Sequence, residues 1–224
     1  ISFINEIANI CELTGANVKN VRLGIGSDKR IGYNFIYAGC GYGGSCFPKD
    51  VKAIIKTAEQ NGYEMRVLKA VEAVNEDQKS LLFKKLDKIF NSDLKGKKIA
   101  IWGLSFKPET DDMREAPSLV LIDLLHDAGA EICVYDPIAM DECSRRIGNK
   151  VTYCQNIYET TIDADAVMLV TEWKEFRMPS RNVIHRTMRT TYSPTGKPII
   201  RDGRNIYDRN ELQSMDFTYI ALGK

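Results

Sequence analysis

From residue 1 to about residue 92 the apolar residues recur at helical spacing. Ile4, Ile7, Ala8 and Cys11 predict a first helix that ends near Gly15, and an N-cap at Asn17 starts a second, short one that ends near Gly24. Residues 27–44 show no period and read as an irregular loop carrying Arg30, Phe35 and Tyr37. Pro48 then suits the first turn of a helix running through Val51, Ile54, Ile55 and Ala58. Two further periodic segments follow, one with Val67, Leu68, Val71 and Val74, the other with Leu81, Leu82, Leu86, Ile89 and Phe90. The polar stretch from Asn91 to Lys97 reads as a linker.

Beyond it the pattern changes to short apolar runs: Ile99–Trp102, Ile132–Tyr135, Val151–Tyr153, Ala166–Val170, Pro198–Ile200 and Thr218–Ala221. Helical patterns such as Leu119 to Leu125 lie between most of them. Strands alternating with helices predict a parallel, doubly wound sheet covered on both faces. The fold class is therefore α/β, with an all-helical region at 1–92 and a parallel-sheet domain at 93–224. Ligands of such sheets sit at the carboxyl ends of the strands, which makes Gly103–Lys107, Asp136–Pro137, Thr171–Glu172 and Asp202–Arg204 the expected ligand edge.

Composition narrows the classes. With 44% hydrophobic residues the 224-residue chain can bury real cores. Thirty-one basic and 30 acidic side chains leave a net charge of +1, and no basic patch is dense enough to make nucleic acid the main ligand. No apolar run approaches the roughly 20 residues that cross a bilayer, and no cleavable signal opens the chain, so a soluble cytoplasmic protein with no membrane partner is expected. The six cysteines form no C-x-x-C pair, and only His126 and His185 could join them, so neither disulfides nor a metal site is expected. The abrupt start, without Met or a cap, reads as the interior of a longer helix.

The densest chemistry lies in Gly39-Cys40-Gly41-Tyr42-Gly43-Gly44-Ser45-Cys46-Phe47-Pro48-Lys49-Asp50. So many glycines cost backbone entropy, and such a run persists where a ligand or another backbone approaches closely. Cys46 would sit at the positive end of the helix behind Pro48, where a thiolate is favoured, and Lys49 adds to that field. Its plainer reading is a buried structural thiol. Asp50, one turn along, can orient or deprotonate water. The Gly39-x-Gly41-x-x-Gly44 spacing matches the dinucleotide fingerprint only formally, because no strand precedes it, and Cys40 reads as packing. In the charged run from Phe106 to Ser118, Glu109, Asp111 and Asp112 read as a solvated connection, whereas Lys107 and Arg114 are placed for phosphate. Arg204 stands at a strand end where a cation meets an anionic ligand; Arg201 reads as structural, and both histidines as surface or packing residues.

Phe35 to Gly39 followed by Gly41 to Asp50 resembles the active-cysteine segment of the nucleotide-sugar 6-dehydrogenases. Gly103 to Ser118 is similar to that family's second signature and Asp202-Gly203-Arg204-Asn205 to its third, in the family's order. The resemblance, nearest to the UDP-glucose-oxidising branch, implies a helical central dimerisation region and a Rossmann-like UDP-sugar domain. It also implies an amino-terminal NAD-binding domain that these residues lack. It makes Cys46 the nucleophile that captures the sugar aldehyde as a thiohemiacetal and carries the later thioester, and Asp50 the acid that helps water hydrolyse it. Phe35, Ile36, Tyr37, Ala38, Gly39 and Gly43 would wrap the sugar and pyrophosphate, with Phe106, Lys107 and Arg204 as further substrate contacts. Arg30 would reach the neighbouring subunit's substrate, implying a homodimer; Lys49 and Arg114 would touch NAD. GDP-mannose or a UDP-N-acetylhexosamine stay open as substrates, as does a non-catalytic dimerisation and binding role for the fragment.

Overall fold

A computed structural model describes residues 1–224. Four helices come first: α1 (Ser2–Thr14), α2 (Val18–Gly26), α3 (Phe47–Gln60) and α4 (Arg66–Ile89). Gly15 ends α1 in a left-handed conformation (φ 75°) that a residue with a Cβ adopts at a cost. The Asn17 side chain caps α2 by accepting from the Lys19 amide, as its position before the helix dictates. Residues 27–44 are turns and irregular backbone, as the lack of period implies.

The two periodic segments at 67–74 and 81–90 are a single 24-residue helix, α4. Its buried stripe runs Asn75, Gln78, Lys79, Leu82 and Leu86, a proper helical period whose first half is polar. Apolar patterning misses that half, and Val67, counted as apolar-facing, is 76% exposed.

The sheet follows, with β1 (Lys98–Trp102), α5 (Pro117–Asp127), β2 (Glu131–Tyr135), α6 (Met140–Ile147), β3 (Thr152–Tyr153), α7 (Ile157–Thr161), β4 (Ala166–Leu169), α8 (Arg181–Thr187), β5 (Ile199–Asp202), α9 (Arg209–Ser214) and β6 (Thr218–Ala221). All pairings are parallel, in the order β3-β2-β1-β4-β5-β6. The order reverses between β1 and β4, which opens a crevice at their carboxyl ends.

Side chains alternate between two cores. Ile99, Ile101, Val134 and Met168 face a layer of α4 and α5, where Leu82, Leu86, Leu121 and Leu125 are buried. Ala100, Trp102, Val167 and Leu169 face the other layer, with Ile157, Ile184, Leu212 and Phe176. The second half of α4 thus belongs to the sheet's core, and this fixes the helical region over the carboxyl edge. A small third core joins Ile4, Ala8, Cys11 and Val18 to Ala38 of the loop. No helix is long and apolar enough to cross a membrane.

Candidate functional site

The glycine-rich loop is held by buried amides. Asn5 Oδ1 accepts from the Gly39 amide at 2.9 Å, and Gln78 Nε2 donates to the Gly39 carbonyl at 2.7 Å. Asn75 makes a two-way bond to one residue: Oδ1 accepts from the Tyr42 amide (2.8 Å) and Nδ2 donates to the Tyr42 carbonyl (3.0 Å). All three side chains are buried, so each backbone group they satisfy would otherwise lack a partner. At the far end the Gly44 amide donates to the Arg114 carbonyl at 2.7 Å, tying the loop to the β1–α5 connection. Two glycines are required by close approach: a Cβ on Gly43 would lie 2.3 Å from the Glu115 carbonyl oxygen, and one on Gly44 (φ +91°) 2.7 Å from the Phe106 ring.

This geometry opens a cavity of about 400 Å³ between the loop and the sheet edge. Phe35, Tyr37, Gly39 and Gly43 line it from the loop, and Phe106, Lys107, Glu172 and Arg204 from the strand ends. Aromatic contacts link its wall to the cysteine: Phe47 packs edge-on against Phe35 (6.2 Å) and tilted against Tyr42 (5.6 Å). Phe35 holds a left-handed φ of 60°, a conformation that costs a non-glycine residue of order 1 kcal/mol or more and that tertiary packing must sustain. The Tyr42 hydroxyl bonds to the Glu72 carboxylate, and burial together with that carboxylate pushes the Tyr42 pKa up, keeping the phenol protonated.

Ile36 and Ala38 turn to the other side of the loop. They line an adjoining cleft of about 270 Å³ with Lys19, Arg22, Tyr37 and Arg204. There the Arg22 guanidinium stacks over Tyr37 at 3.7 Å. Arg204 is thus shared by both spaces. Its Nε donates to the Val170 carbonyl (2.6 Å) and lies 3.1 Å from Glu172 Oε2. Burial pulls the Arg204 pKa down, but Cys40, Glu172 and Asp202 together outweigh it and hold the pKa above its ordinary value.

Cys46 is the N-cap of α3 and the one exposed cysteine of six. Its Sγ lies 3.6 Å from Ser45 Oγ, and its carbonyl accepts from the Asp50 amide at 2.8 Å. Cys46, Phe47, Asp50, Val51 and Ile54 line a shallow groove that meets the larger cavity at Phe47. Lys49 pairs with Asp50 (3.4 Å) and both stay exposed. Arg114 forms a two-pronged bond to Asp112, at 2.9 and 2.8 Å. That carboxylate raises the Arg114 pKa, and Cys46 is close enough to add a smaller electrostatic pull.

The structure therefore gathers Phe35, Tyr37, Gly39, Gly43, Phe106, Lys107 and Arg204 around one cavity, with Cys46 and Asp50 in the separate groove that adjoins it at Phe47. Arg30 is not among them: its side chain is 88% exposed and pairs with Asp28. Three expectations are revised. Asp112 is not a free solvated residue, because Arg114 brackets it and holds its carboxyl below the usual range. Asp136, expected at the ligand edge, is buried, accepting from Leu104, Ser105 and Trp173 through Oδ2 and from Ile138 and Ala139 through Oδ1. Asp202 is likewise buried and accepts from Arg204, Ile206, Tyr207 and Tyr219. These two carboxylates shape the ligand edge from beneath. Cys40 and Arg201 are buried, in keeping with packing roles. The Gly39 to Gly44 pattern follows no strand, so it has no fingerprint geometry.

Asn5, Asn75 and Gln78 carry no signal in the apolar pattern, and only their spacing with Leu82 and Leu86 marks the last two. No group of three or more His, Cys, Asp or Glu side chains could hold a metal ion.

Comparison with known proteins fits this arrangement. Residues 1–77 match the central domain and residues 100–209 the UDP binding domain of the UDP-glucose/GDP-mannose dehydrogenase family. The UDP-glucose 6-dehydrogenase of Pseudomonas aeruginosa is 48% identical over the whole of this chain and 49% of its own length, and that of Rhizobium meliloti 42% identical over 49% of its length. Among solved structures, a UDP-glucose dehydrogenase from Pyrobaculum islandicum superposes with a TM-score of 0.83 at 31% identity, over all of this chain and 47% of that one. An NDP-N-acetyl-D-galactosaminuronic acid dehydrogenase from Methanosarcina mazei gives 0.84 at 25% identity, over all of this chain and 47% of that one. The chain spans about half the length of the curated relatives it matches. With both family domains matched in order along a helical region and a parallel sheet, the chain belongs to the UDP-glucose/GDP-mannose dehydrogenase family.

Proposed function

We propose that this chain is the carboxyl-terminal part of an NAD-dependent UDP-glucose 6-dehydrogenase, residues 1–92 forming its central helical region and 93–224 its UDP-sugar-binding domain. The observation that carries the reading is an exposed cysteine at a helix N-terminus, in a groove that adjoins, at Phe47, a cavity bearing the Lys107 and Arg204 side chains. The 48% identical Pseudomonas aeruginosa relative bears the name of that activity. Lys107 and Arg204 suit a diphosphate, and the loop backbone from Phe35 to Gly39 with Gly43 suits the rest of a nucleotide sugar.

In this reading Cys46 Sγ, as thiolate, adds to the C6 aldehyde carbon of the oxidised sugar, the carbonyl π pair moves onto oxygen, and a thiohemiacetal oxyanion forms. Loss of hydride from that carbon gives a thioester. Asp50 takes a proton from water, the water oxygen attacks the thioester carbonyl, and the Cys46 thiolate leaves as the uronate forms. Holding the aldehyde covalently keeps a reactive intermediate bound between the two oxidations. NAD, when bound, supplies the hydride acceptor. The residues present fit a dinucleotide at the Cys46 face, because Lys49 and Arg114 offer positive charge there and Phe47, Val51 and Ile54 an apolar surface.

Phe3, Ile10 and Leu13 project from one side of α1 into solvent, which favours a homodimer through the helical region. In such a dimer the exposed Arg30 would exchange its pairing with Asp28 for the substrate of a neighbouring subunit. A cytoplasmic location completes the reading. A second reading of the chain by itself is a dimerisation and nucleotide-sugar-binding module.

The test joins this chain to the amino-terminal half of the Pseudomonas aeruginosa relative and follows NADH formation with UDP-glucose, GDP-mannose and UDP-N-acetylhexosamine. UDP-glucose should be preferred, and Cys46→Ser should abolish turnover. Turnover that survives the substitution would sink the covalent mechanism.

A further inference from the structure

Lys79 has no part in the chemistry above, yet it is 2% exposed in the middle of α4, beneath the glycine-rich loop. Its stem lies against Gly41, where a Cβ would stand 3.2 Å from Lys79 Cγ. Its Nζ donates to Glu76 Oε1 at 2.8 Å and to Glu115 Oε2 at 3.1 Å. Burial pulls the Lys79 pKa down, but those two carboxylates outweigh it, so the side chain is a buried ammonium. A charge in such surroundings requires its carboxylates, and Lys79 thereby fixes where Glu115 stands.

Glu115 is in turn the residue that closes on the loop. Its backbone, left-handed at φ 55°, sets its carbonyl against Gly43, and the Arg114 carbonyl before it accepts from the Gly44 amide at 2.7 Å. Its other carboxylate oxygen, Oε1, accepts from Lys52 Nζ at 3.2 Å. Lys52 lies on α3, which Cys46 caps, and Pro48 is the one buried residue among that helix's 14. A second tie, Lys69 to Glu59 at 2.8 Å, holds the far end of α3. The near end has little packing to place it, and Glu115 grips the chain on both sides of the cysteine, at Gly43 and Gly44 before it and at Lys52 after it. We propose that Lys79 and Glu115 are positioning residues for Cys46: the buried ammonium fixes the carboxylate, and Glu115 fixes the thiol in its groove. This rests on the reading of Cys46 as nucleophile. Lys52 and Glu115 are half exposed, and a pair of that kind adds little to stability, so the effect belongs in the rate more than in the melting temperature.

The test uses this chain joined to the amino-terminal half of the Pseudomonas aeruginosa relative, with Glu115→Gln, Lys79→Met and the double variant, all of which keep the side-chain length. NADH formation gives kcat and KM for UDP-glucose, and hydrogen exchange followed by mass spectrometry reads residues 43–60 against β1 and β4. Each single substitution should lower kcat about ten- to a hundredfold, the loss that a displacement of about 1 Å brings, with KM for UDP-glucose within about threefold. Because Lys79 acts through Glu115, the double variant should be no slower than the slower single one. Peptides from 43–60 should exchange faster in all three variants, and those of β1 and β4 as in the unsubstituted protein. A rise in KM at unchanged kcat, losses that add in the double variant, or a fall in melting temperature with turnover intact would overturn the inference. So would unchanged exchange over 43–60. An unsubstituted protein that turns over no nucleotide sugar would count against Cys46 as nucleophile, and the exchange of 43–60 would then decide by itself whether Lys79 and Glu115 hold that segment.

Discussion

Asn75→Ala is the sharpest probe of how the loop is held. Asn75 is 1% exposed and pairs with both backbone groups of Tyr42, at 2.8 and 3.0 Å. Truncation leaves an N–H and a C=O without partners in buried surroundings. Each such group costs about 1–3 kcal/mol, less whatever water or a backbone shift recovers, so the pair should cost about 2–4 kcal/mol. A chain of this size loses roughly 2–4 °C of Tm per kcal/mol, which predicts a fall of about 4–16 °C by circular dichroism. Tyr42 lines the cavity, so UDP-glucose binding should weaken in the same variant. Asn75→Asp separates the two bonds: it keeps an acceptor for the Tyr42 amide but sets a carboxylate oxygen against the Tyr42 carbonyl. It should match the alanine variant near neutral pH and recover part of the loss below the carboxyl pKa. A melting temperature for Asn75→Ala within about 1 °C of wild type would refute the argument that these amides hold the loop.

Other outcomes follow from the same geometry. Gly43→Ala should melt lower and bind UDP-glucose poorly, because its Cβ would meet the Glu115 backbone at 2.3 Å, where no side chain can rotate away; a wild-type titration would contradict this. Iodoacetamide on the native chain should modify Cys46 first, with the five buried cysteines reacting only on unfolding, as read by mass spectrometry of digested peptides. Acid should loosen the β1–α5 connection. Arg114 lowers the Asp112 pKa, and Lys79 and Lys52 lower that of Glu115, so both carboxylates stabilise the fold above their ordinary values of about 4 and lose that contribution as pH falls through the lowered ones. Asp112→Asn with Glu115→Gln should flatten the stability profile below about pH 4 in urea titrations.

The sequence by itself determined the six strands, because each is a short apolar or β-branched run, the central β1, β4 and β5 almost wholly buried, and the parallel alternation with helices followed from their spacing. It also determined where α1, α2 and α3 begin or end, through Gly15, Asn17 and Pro48, whose effects are local. The glycine run and Cys46 stood out for the same reason: glycine and cysteine carry their meaning in their own chemistry.

Only the tertiary structure decided what lies beneath the site. Asn75, Gln78 and Lys79 continue the buried stripe of Leu82 and Leu86, yet a polar side chain on a helix reads as outward-facing until a loop is laid over it. That is why the apolar pattern of this one helix breaks into two segments. Asp136 and Asp202 sit where a ligand-binding acid would, and their burial against backbone amides is a fact of the packed loops around them. The Gly43 contact with Glu115 spans residues far apart in the chain, so the glycine's necessity was legible while its cause was not. Composition and period record the free energy of burying apolar surface and of bending the backbone. Which buried polar group meets which backbone amide is settled when the helical region closes over the sheet, and that closure sets the groove of the exposed Cys46 beside the cavity at Phe47.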